Sequence, residues 1–338
     1  MSAKTARKIK PVPTAEKLID LAFKKASRQS APVPRTLPAL LKAKRREETR
    51  VKTAYQVVNS KLLSIVKDFP SFDNIHPFYR DLINTFYNIN DIRKALGSLS
   101  GSSAIILSLM RRYINKIRSC NTPREAQKLR KSAFGRLASI VKKLDDRLHY
   151  LEDVRVILNH LPGIDPNLPT VVVAGAPNVG KSSLVKAIST AEPEIAEYPF
   201  TTRDIIVGKF KHNHIEVQVI DTPGLLDRPL SKRNKIELQA IAALKNISSL
   251  IIFMLDPSES CGIDITSQVN IYNEIKNQFS ETPFFIVFNK MDIATHEQVL
   301  KAKNLIDADE IFLIVAISKK GVTKLLEKIM IEIKNIIT

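Results

Sequence analysis

The sequence predicts an all-α first half followed by an α/β domain built on a mostly parallel, six-stranded sheet. In the first half glycine is scarce and the apolar residues recur every three or four positions, as on amphipathic helices. In the second half short apolar runs alternate with helical stretches, as expected of buried parallel strands. A breaker cluster at residues 161–166 separates the halves, so we expect domains at 1–166 and 167–338.

Caps and prolines delimit the helices of the first half. Thr14 follows two prolines and is the expected N-cap of the first helix. A long helix is predicted over Leu37–Lys67, and Pro70 prevents its extension. The remaining helices are expected from Ile75 onward, over Ile89–Leu96, over Ala104–Ile117, and over Pro123–Leu161 as one helix or two.

Six apolar runs in the second half are the predicted strands. They are Val171–Ala174, Ile205–Phe210, Ile215–Ile220, Leu250–Leu255, Phe284–Phe288 and Ile311–Ala316. The predicted helices are Lys181–Thr190, Ile236–Leu244, Ile265–Phe279, Thr295–Leu305 and Val322–Ile337. Only residues 211–214 join the second and third strands, which is too short for a crossover helix, so these two should form an antiparallel hairpin.

The positive charge of the chain is concentrated in its first half. Residues 1–170 contain 33 Lys and Arg against 14 Asp and Glu, whereas residues 171–338 contain 19 against 20. A basic half of this kind favours nucleic acid as a partner. The chain has no apolar run long enough to span a bilayer, no secretory signal and only two cysteines, so we expect a cytoplasmic protein without integral membrane association.

The segment Gly175–Ser182 (Gly-Ala-Pro-Asn-Val-Gly-Lys-Ser) fits the phosphate-loop pattern and lies between a predicted strand and a predicted helix. Its backbone N–H groups can surround a phosphate chain at the helix N-terminus. Lys181 can reach the β- and γ-phosphates, and the Ser182 hydroxyl can ligate Mg²⁺.

The segment Asp221–Gly224 (Asp-Thr-Pro-Gly) follows the strand predicted beside the first one. Its carboxylate can hold Mg²⁺ through a water molecule, and the Gly224 amide can meet the γ-phosphate. The loop Tyr198–Arg203 can add a threonine hydroxyl to the metal, for which we favour Thr202 over Thr201.

The segment Asn289–Asp292 (Asn-Lys-Met-Asp) predicts which base is bound. A carboxylate at Asp292 can accept hydrogen bonds from guanine N1–H and the 2-amino group, whereas adenine lacks both donors there. Asn289 can tie this loop to the phosphate loop, and the stem of Lys290 can cover the base. The Ala316 amide, after the last strand, is the expected donor to guanine O6.

The predicted site divides into overlapping sets. The nucleotide-binding residues are Gly175, Pro177, Asn178, Val179, Gly180, Lys181, Ser182, Ser183, Asp221, Gly224, Asn289, Lys290, Asp292 and Ala316. The metal ligands, direct or through water, are Ser182, Thr202 and Asp221, and the residues assigned to catalysis are Lys181, Thr202, Gly224 and Asn178.

These motifs in this order resemble a Ras-like P-loop GTPase domain of the Obg group. In the first half, residues 8–14 (Lys-Ile-Lys-Pro-Val-Pro-Thr), 68–70 (Asp-Phe-Pro), 75–82, 94–97 and 161–166 resemble the nucleolar GTP-binding protein family, in a short archaeal-type form. The resemblance implies hydrolysis of GTP to GDP and phosphate, and a switch in assembly of the large ribosomal subunit. It also implies that the helical domain contacts ribosomal RNA and the subunit precursor.

Hydrolysis by the chain alone is expected to be slow. Leu225 occupies the position at which many Ras-like enzymes have a water-orienting glutamine. Members of the class with asparagine at the position of Asn178 resemble potassium-activated GTPases, so K⁺ is a hypothesis for the missing positive charge. Arg203 and Arg228 are alternative cations.

The basic half has two clusters that could form an RNA-facing strip. One is Arg111, Arg112, Lys116 and Arg118, and the other is Lys128, Arg130, Lys131, Arg136, Lys142 and Lys143. Two alternatives remain open, a GTP-dependent switch that binds an acidic protein and one that binds an anionic membrane surface. We expect a monomer.

Overall fold

The computed structural model describes seven stretches of the chain, which fall into two compact units. The stretches are residues 8–29, 36–73, 75–196, 205–212, 214–229, 233–308 and 310–337. The helical unit contains the described residues of 8–73 and 87–159, and the α/β unit contains 75–86 and 160–337. Residues 75–86, which the sequence analysis placed in the helical domain, therefore group with the α/β unit.

The described residues form eleven helices. In chain order they are α1 (Ala15–Arg28), α2 (Ala39–Asp68), α3 (Pro77–Asn84), α4 (Ile89–Ser119), α5 (Pro123–Lys142), α6 (Asp145–Asn159), α7 (Lys181–Ile188), α8 (Lys235–Leu244), α9 (Ile265–Gln278), α10 (His296–Asn304) and α11 (Val322–Ile337). Thr14 caps α1, as predicted, because its side chain accepts a hydrogen bond from the Lys17 amide. The stretch 123–161 forms two helices, α5 and α6.

The two helices predicted over residues 89–117 are one helix, α4, and that prediction was wrong. Gly97 and Gly101 lie inside it, where glycine weakens a helix. Leu99, between the two glycines, and Ile106, beyond them, are fully buried. Packing of the apolar face in the helical unit therefore outweighs the local preference to break.

The sheet of the α/β unit has seven strands rather than the six predicted. They are β1 (Thr170–Gly175), β2 (Glu194–Ala196), β3 (Ile205–His212), β4 (Ile215–Asp221), β5 (Ser248–Leu255), β6 (Phe284–Phe288) and β7 (Ile311–Leu313), in the order β2-β3-β4-β1-β5-β6-β7. The missed strand β2 has three residues and no apolar run. The predicted β3–β4 hairpin is confirmed, and β2 also pairs antiparallel to β3.

Strands β4, β1, β5, β6 and β7 are parallel, so their carboxyl ends meet at one edge of the sheet. All six residues of β1 and the last six of β5 are buried. Helices α7, α9 and α11 pack against these strands. The loops that follow β1, β4, β5 and β6 emerge together at the carboxyl edge, which is where open α/β sheets bind ligands.

Helix α3 belongs to the α/β unit, where it packs and where its apolar side chains are buried. It packs against α8, and Asn246 Nδ2 donates to Asp81 Oδ2 at 3.0 Å. The Tyr79 hydroxyl donates to the carbonyl oxygens of Pro162 and Ile164, at 2.9 and 2.5 Å. Burial raises the pKa of Tyr79, so this hydroxyl stays protonated and fixes the segment that leads into β1.

Candidate nucleotide site

The phosphate loop leaves β1 at Gly175 and enters α7 at Lys181. Three of its residues have positive φ angles: Gly175 at 139°, Asn178 at 61° and Gly180 at 103°. A Cβ on Gly175 would collide with the carbonyl oxygen of Met254 on β5. The neighbouring strand therefore requires glycine, and the backbone has the sharply turned form in which successive N–H groups can surround an anion.

Lys181 is buried at the base of this loop. Its Nζ donates to the carbonyl oxygens of Gly175 and Ala176 at 3.0 and 2.9 Å. The ammonium group is thus held within the loop, at the N-terminus of α7, where the helix dipole also favours an anion. This position suits contact with the β- and γ-phosphates of a nucleotide.

Ser182 and Asp221 meet at the start of α7 and the end of β4. Ser182 Oγ donates to Asp221 Oδ2 at 2.5 Å, and Asp221 is fully buried. Its Oδ1 has no hydrogen-bond partner among the described residues. Burial raises the pKa of Asp221, while Lys181 and the Ser182 hydroxyl oppose that shift. An orphaned carboxylate oxygen beside a hydroxyl fits a hard, oxygen-seeking ion such as Mg²⁺.

Gly224 lies three residues beyond Asp221, with a φ angle of 80°. The Gly224 N–H, which the sequence analysis assigned to the γ-phosphate, donates to Asp227 Oδ2 at 2.7 Å. Its carbonyl oxygen accepts from Arg233 Nη1, also at 2.7 Å. Neither Asp227 nor Arg233 was predicted from the sequence, because nothing in their spacing relates them to Gly224.

Asn289 connects three loops of the site. Its Nδ2 donates to the Val179 carbonyl oxygen at 2.8 Å, as predicted for a tie to the phosphate loop. A Cβ on Gly180 would collide with this same Nδ2 atom. Asn289 Oδ1 accepts from the Ala316 N–H at 2.9 Å. That N–H, predicted to donate to guanine O6, is used by Asn289 here, so a contact with O6 would have to share it.

Lys290 follows Asn289 and is held by a residue that the sequence analysis missed. Its Nζ donates to Asp256 Oδ2 and to Ser260 Oγ, both at 2.9 Å. Asp256 is fully buried directly after β5. Burial favours a raised pKa for Asp256, but hydrogen bonds from Ser258, Lys290 and Ser260 outweigh it and hold the pKa below its usual value. Its place at a strand's carboxyl end was the available signal.

Asp292, the predicted guanine acceptor, is exposed, and its carboxylate accepts no hydrogen bond from the residues that the structure describes. The backbone of this loop is fixed independently, because the Met291 N–H donates to the Ile314 carbonyl oxygen at 3.3 Å. Asp292 is therefore presented at a fixed point with its acceptor oxygens available.

The remaining predicted site residues that the structure describes lie on the phosphate loop or in the first turn of α7. Pro177 and Ser183 are half-buried, Val179 is fully buried, and Asn178 is exposed. Thr202, with Thr201 and Arg203, lies outside the described residues. The structure thus brings together the phosphate loop, Asp221 and the loop of Asn289.

The helical unit presents most of the predicted basic strip to solvent. The exposed members are Arg111, Arg112, Lys116, Arg118, Lys128, Lys131, Arg136, Lys142 and Lys143. Arg130 is an exception, because it is half-buried and forms an ion pair with the buried Glu47. Its Nε lies 2.5 Å from Glu47 Oε2, although the angles are not those of a hydrogen bond. Arg118 remains exposed but pairs with Glu48 at 2.5 Å. Among the described residues, no helix is long and apolar enough to cross a membrane.

Comparison with known proteins covers both units. The family described as "NOG1 N-terminal helical domain" matches residues 7–165, and "50S ribosome-binding GTPase" matches residues 170–290. An uncharacterized protein of Methanocaldococcus jannaschii is 42% identical over 78% of this chain and 73% of its own length. Nucleolar GTP-binding protein 1 of Drosophila melanogaster is 36% identical over 90% of this chain. The chain belongs to the nucleolar GTP-binding protein family.

Within this family, the chain spans about half the length of the nucleolar relatives, 47% of the Drosophila protein. A solved structure of a candidate nucleolar GTP-binding protein 1 from Plasmodium falciparum is 35% identical, covers 52% of this chain and 91% of that one, and has a TM-score of 0.46. The predicted arrangement, a helical domain followed by a P-loop GTPase domain, is confirmed by the family matches.

Proposed function

We propose that this protein binds GTP with Mg²⁺, hydrolyses it to GDP and phosphate, and acts as a switch in assembly of the large ribosomal subunit. The observation that carries the nucleotide part is the position of Asn289. One buried side chain bonds both the phosphate loop and the loop after β7, so phosphate binding and base selection share a pocket.

The terminal phosphates, the metal ion and the base of a bound GTP each have a matching group in this pocket. Lys181 and the N–H groups at the start of α7 bind the β- and γ-phosphates, and Ser182 with Asp221 holds Mg²⁺. The metal would neutralise charge on the phosphates. Thr202 is proposed as a further metal ligand, and Ala316 as a shared donor to guanine O6. Asp292 accepts from the guanine edge.

We propose that intrinsic hydrolysis is slow. Leu225 is fully buried, and its side chain has no polar atom that could orient a water molecule. We therefore expect turnover by the chain alone to be slow. It should rise when a partner or an ion adds a positive charge or a water-orienting group to the site.

GTP hydrolysis by the purified chain tests this proposal. We expect Mg²⁺-dependent phosphate release from GTP and none from ATP at the same concentration. Lys181→Ala should abolish release, whereas Lys186→Ala, an exposed lysine on the same helix, should not. Equal release from ATP, or full activity of Lys181→Ala, would refute the proposal.

Potassium is the proposed source of the missing charge. Asn178 is exposed and has a positive φ angle, so its side-chain oxygen lies at the surface of the phosphate loop. Turnover should be faster in K⁺ than in Na⁺ at matched ionic strength, and Asn178→Ala should remove the difference. Equal turnover in the two salts would exclude this role.

We propose that the helical unit binds ribosomal RNA. The assembly in which this contact would occur is a precursor of the large ribosomal subunit. Support comes from the exposed basic side chains and from the word "nucleolar" in the names of relatives. Phosphate contacts need positive charge but no base-reading motif. The expected cytoplasmic location and monomeric state remain predictions.

Sedimentation distinguishes this partner from the alternatives. We expect the protein, loaded with a non-hydrolysable GTP analogue, to sediment with ribosomal particles and not with phosphatidylserine vesicles. In the stretch 99–110, Leu99 and Ile106 are fully buried, so one face of this segment serves as core, whereas Ile105 is 55% exposed. Sedimentation with vesicles alone would favour a switch that binds a membrane surface. Sedimentation with neither particles nor vesicles would favour a switch that binds an acidic protein.

A further inference from the structure

The loop after β4 contains a carboxylate at the place where a triphosphate needs a hydrogen-bond donor. Asp227 Oδ2 accepts the Gly224 N–H at 2.7 Å. This is the amide through which the loop would contact the γ-phosphate under the proposed function. A single N–H has one proton, so it cannot make full-strength bonds to a carboxylate and a phosphate oxygen at the same time.

The Asp227 carboxylate is held close to the site rather than free in solvent. Its side chain is 10% exposed, and Oδ1 has no hydrogen-bond partner among the described residues. A γ-phosphate arriving at Gly224 would therefore meet a nearby negative charge as well as an occupied donor.

Arg233 is placed to donate hydrogen bonds to the Asp227 carboxylate when that carboxylate leaves the Gly224 N–H. Its side chain is fully buried and donates to the carbonyl oxygens of Gly224 and Arg228, at 2.7 and 2.9 Å. Arg233 Nη2 lies 3.6 Å from Asp227 Oδ1, beyond a normal hydrogen bond, and its Nε has no partner among the described residues. Asp227 and Arg233 already form an ion pair at this distance, and a small rotation of Asp227 would exchange its bond to the amide for a direct hydrogen bond from the guanidinium.

We propose that Asp227 sets the preference of this protein between GDP and GTP, by competing with the γ-phosphate for the Gly224 N–H. With GDP the carboxylate stays on the amide. With GTP the phosphate displaces it toward Arg233, so Asp227 has a different partner with each nucleotide. This inference rests on the proposed function.

Equilibrium binding to the full-length chain tests the proposal. A fluorescent GDP is displaced by GDP and by guanylyl imidodiphosphate, both with Mg²⁺. Removing a charged acceptor from the amide should strengthen analogue binding relative to GDP by about tenfold in Asp227→Ala. Asp227→Asn keeps a neutral acceptor and should give a smaller gain, about threefold.

Glu237→Gln is the matched control. Glu237 pairs with Arg228 at 2.7 Å and accepts the Asn234 N–H, so the variant removes a nearby negative charge without changing the partner of Gly224. Its ratio of analogue to GDP affinity should stay at the wild-type value. General damage to the loop would weaken both nucleotides, whereas the proposal requires a gain for one of them.

The outcomes separate this inference from the proposed function. If wild-type protein fails to bind GDP, the proposed function is wrong. If it binds GDP and the ratio is unchanged in both Asp227 variants, only the inference is wrong. Crystal structures of the wild type with each nucleotide give the answer even if the variants do not fold. Gly224 N should contact Asp227 with GDP and the γ-phosphate with the analogue, and retention of Asp227 with the analogue would overturn the proposal.

Discussion

Each unit of this protein contains a fully buried carboxylate that lies close to at least one positively charged side chain. In the helical unit, Glu47 lies near three arginines: Arg46 at 3.0 Å, Arg50 at 3.5 Å and Arg130 at 2.5 Å. In the α/β unit, Asp256 accepts from Lys290 and from serine hydroxyls.

The two carboxylates obey one physical rule and serve different ends. A buried charge is tolerated only where it is paired or hydrogen-bonded. The partners of Glu47 lie on α2 and α5, so the cluster joins two helices of the core. The charged partner of Asp256 is Lys290 of the loop Asn289–Asp292, so this cluster positions that loop. Mutations at the two carboxylates should therefore change different properties.

Removing Glu47 should have the largest effect on stability. Glu47→Ala leaves the nearby arginines without their shared carboxylate and should lower the free energy of unfolding of the helical unit by about 3 kcal/mol. Chemical denaturation followed by far-ultraviolet circular dichroism measures this. Glu48→Ala removes the more exposed neighbouring carboxylate and should cost less than about 1 kcal/mol. GDP affinity of the folded Glu47→Ala protein should be unchanged, and equal losses from the two variants would contradict the comparison.

Removing the charge of Asp256 should affect nucleotide binding more than folding. Asp256→Asn weakens the contact that holds Lys290, so GDP affinity should fall by about tenfold. Glu259→Gln is the control, because Glu259 lies on the same loop and contacts the Ile265 N–H and Lys301 instead. A fluorescent-GDP titration of both variants measures the effect, and equal affinities would show that Asp256 does not position Lys290.

The same carboxylate gives a pH dependence with a definite sign. The pKa of Asp256 in the folded protein lies below the value of about 3.9 expected in the unfolded chain. Its contribution to stability is therefore complete above that unfolded pKa and is lost as the pH falls through the folded pKa. The acid-induced loss of stability in wild type should be reduced in Asp256→Asn, and superimposable pH profiles would argue against this contribution.

The smallest expected effect concerns the exposed charge of the helical unit. Arg111→Gln combined with Arg112→Gln should weaken RNA binding and reduce the slope of log affinity against log salt by roughly 1.5. The control replaces Lys245 and Lys276, two exposed lysines of the α/β unit, with glutamine. An equal change in slope for both pairs would mean that the helical unit does not carry the RNA contacts.

Sequence reasoning predicted the parts of the site in which spacing reflects local chemistry. Three features could be predicted from residue type and local spacing alone. They are the turn at Gly175, the β3–β4 hairpin and the hydrogen bond from Asn289 to the phosphate loop. Strand β2 and the continuity of α4 could not be predicted, because the pairing with β3 and the burial of Leu99 depend on distant neighbours. Asp227 was missed although its partner is only three residues away, because no motif relates the two residues. Asp256 was missed although it directly follows a predicted strand, because its role depends on the distant Lys290.

Exchange of the base acceptor tests the central claim most directly. Under the proposed function, the Asp292 carboxylate selects guanine by accepting hydrogen bonds from N1–H and the 2-amino group. Xanthine carries an oxygen in place of that amino group, and an asparagine amide can donate to it. In a titration of wild type and Asp292→Asn with GDP and xanthosine diphosphate, we predict that the wild type prefers GDP and the variant xanthosine diphosphate, each by at least about tenfold. An unchanged preference for GDP in Asp292→Asn would contradict the account.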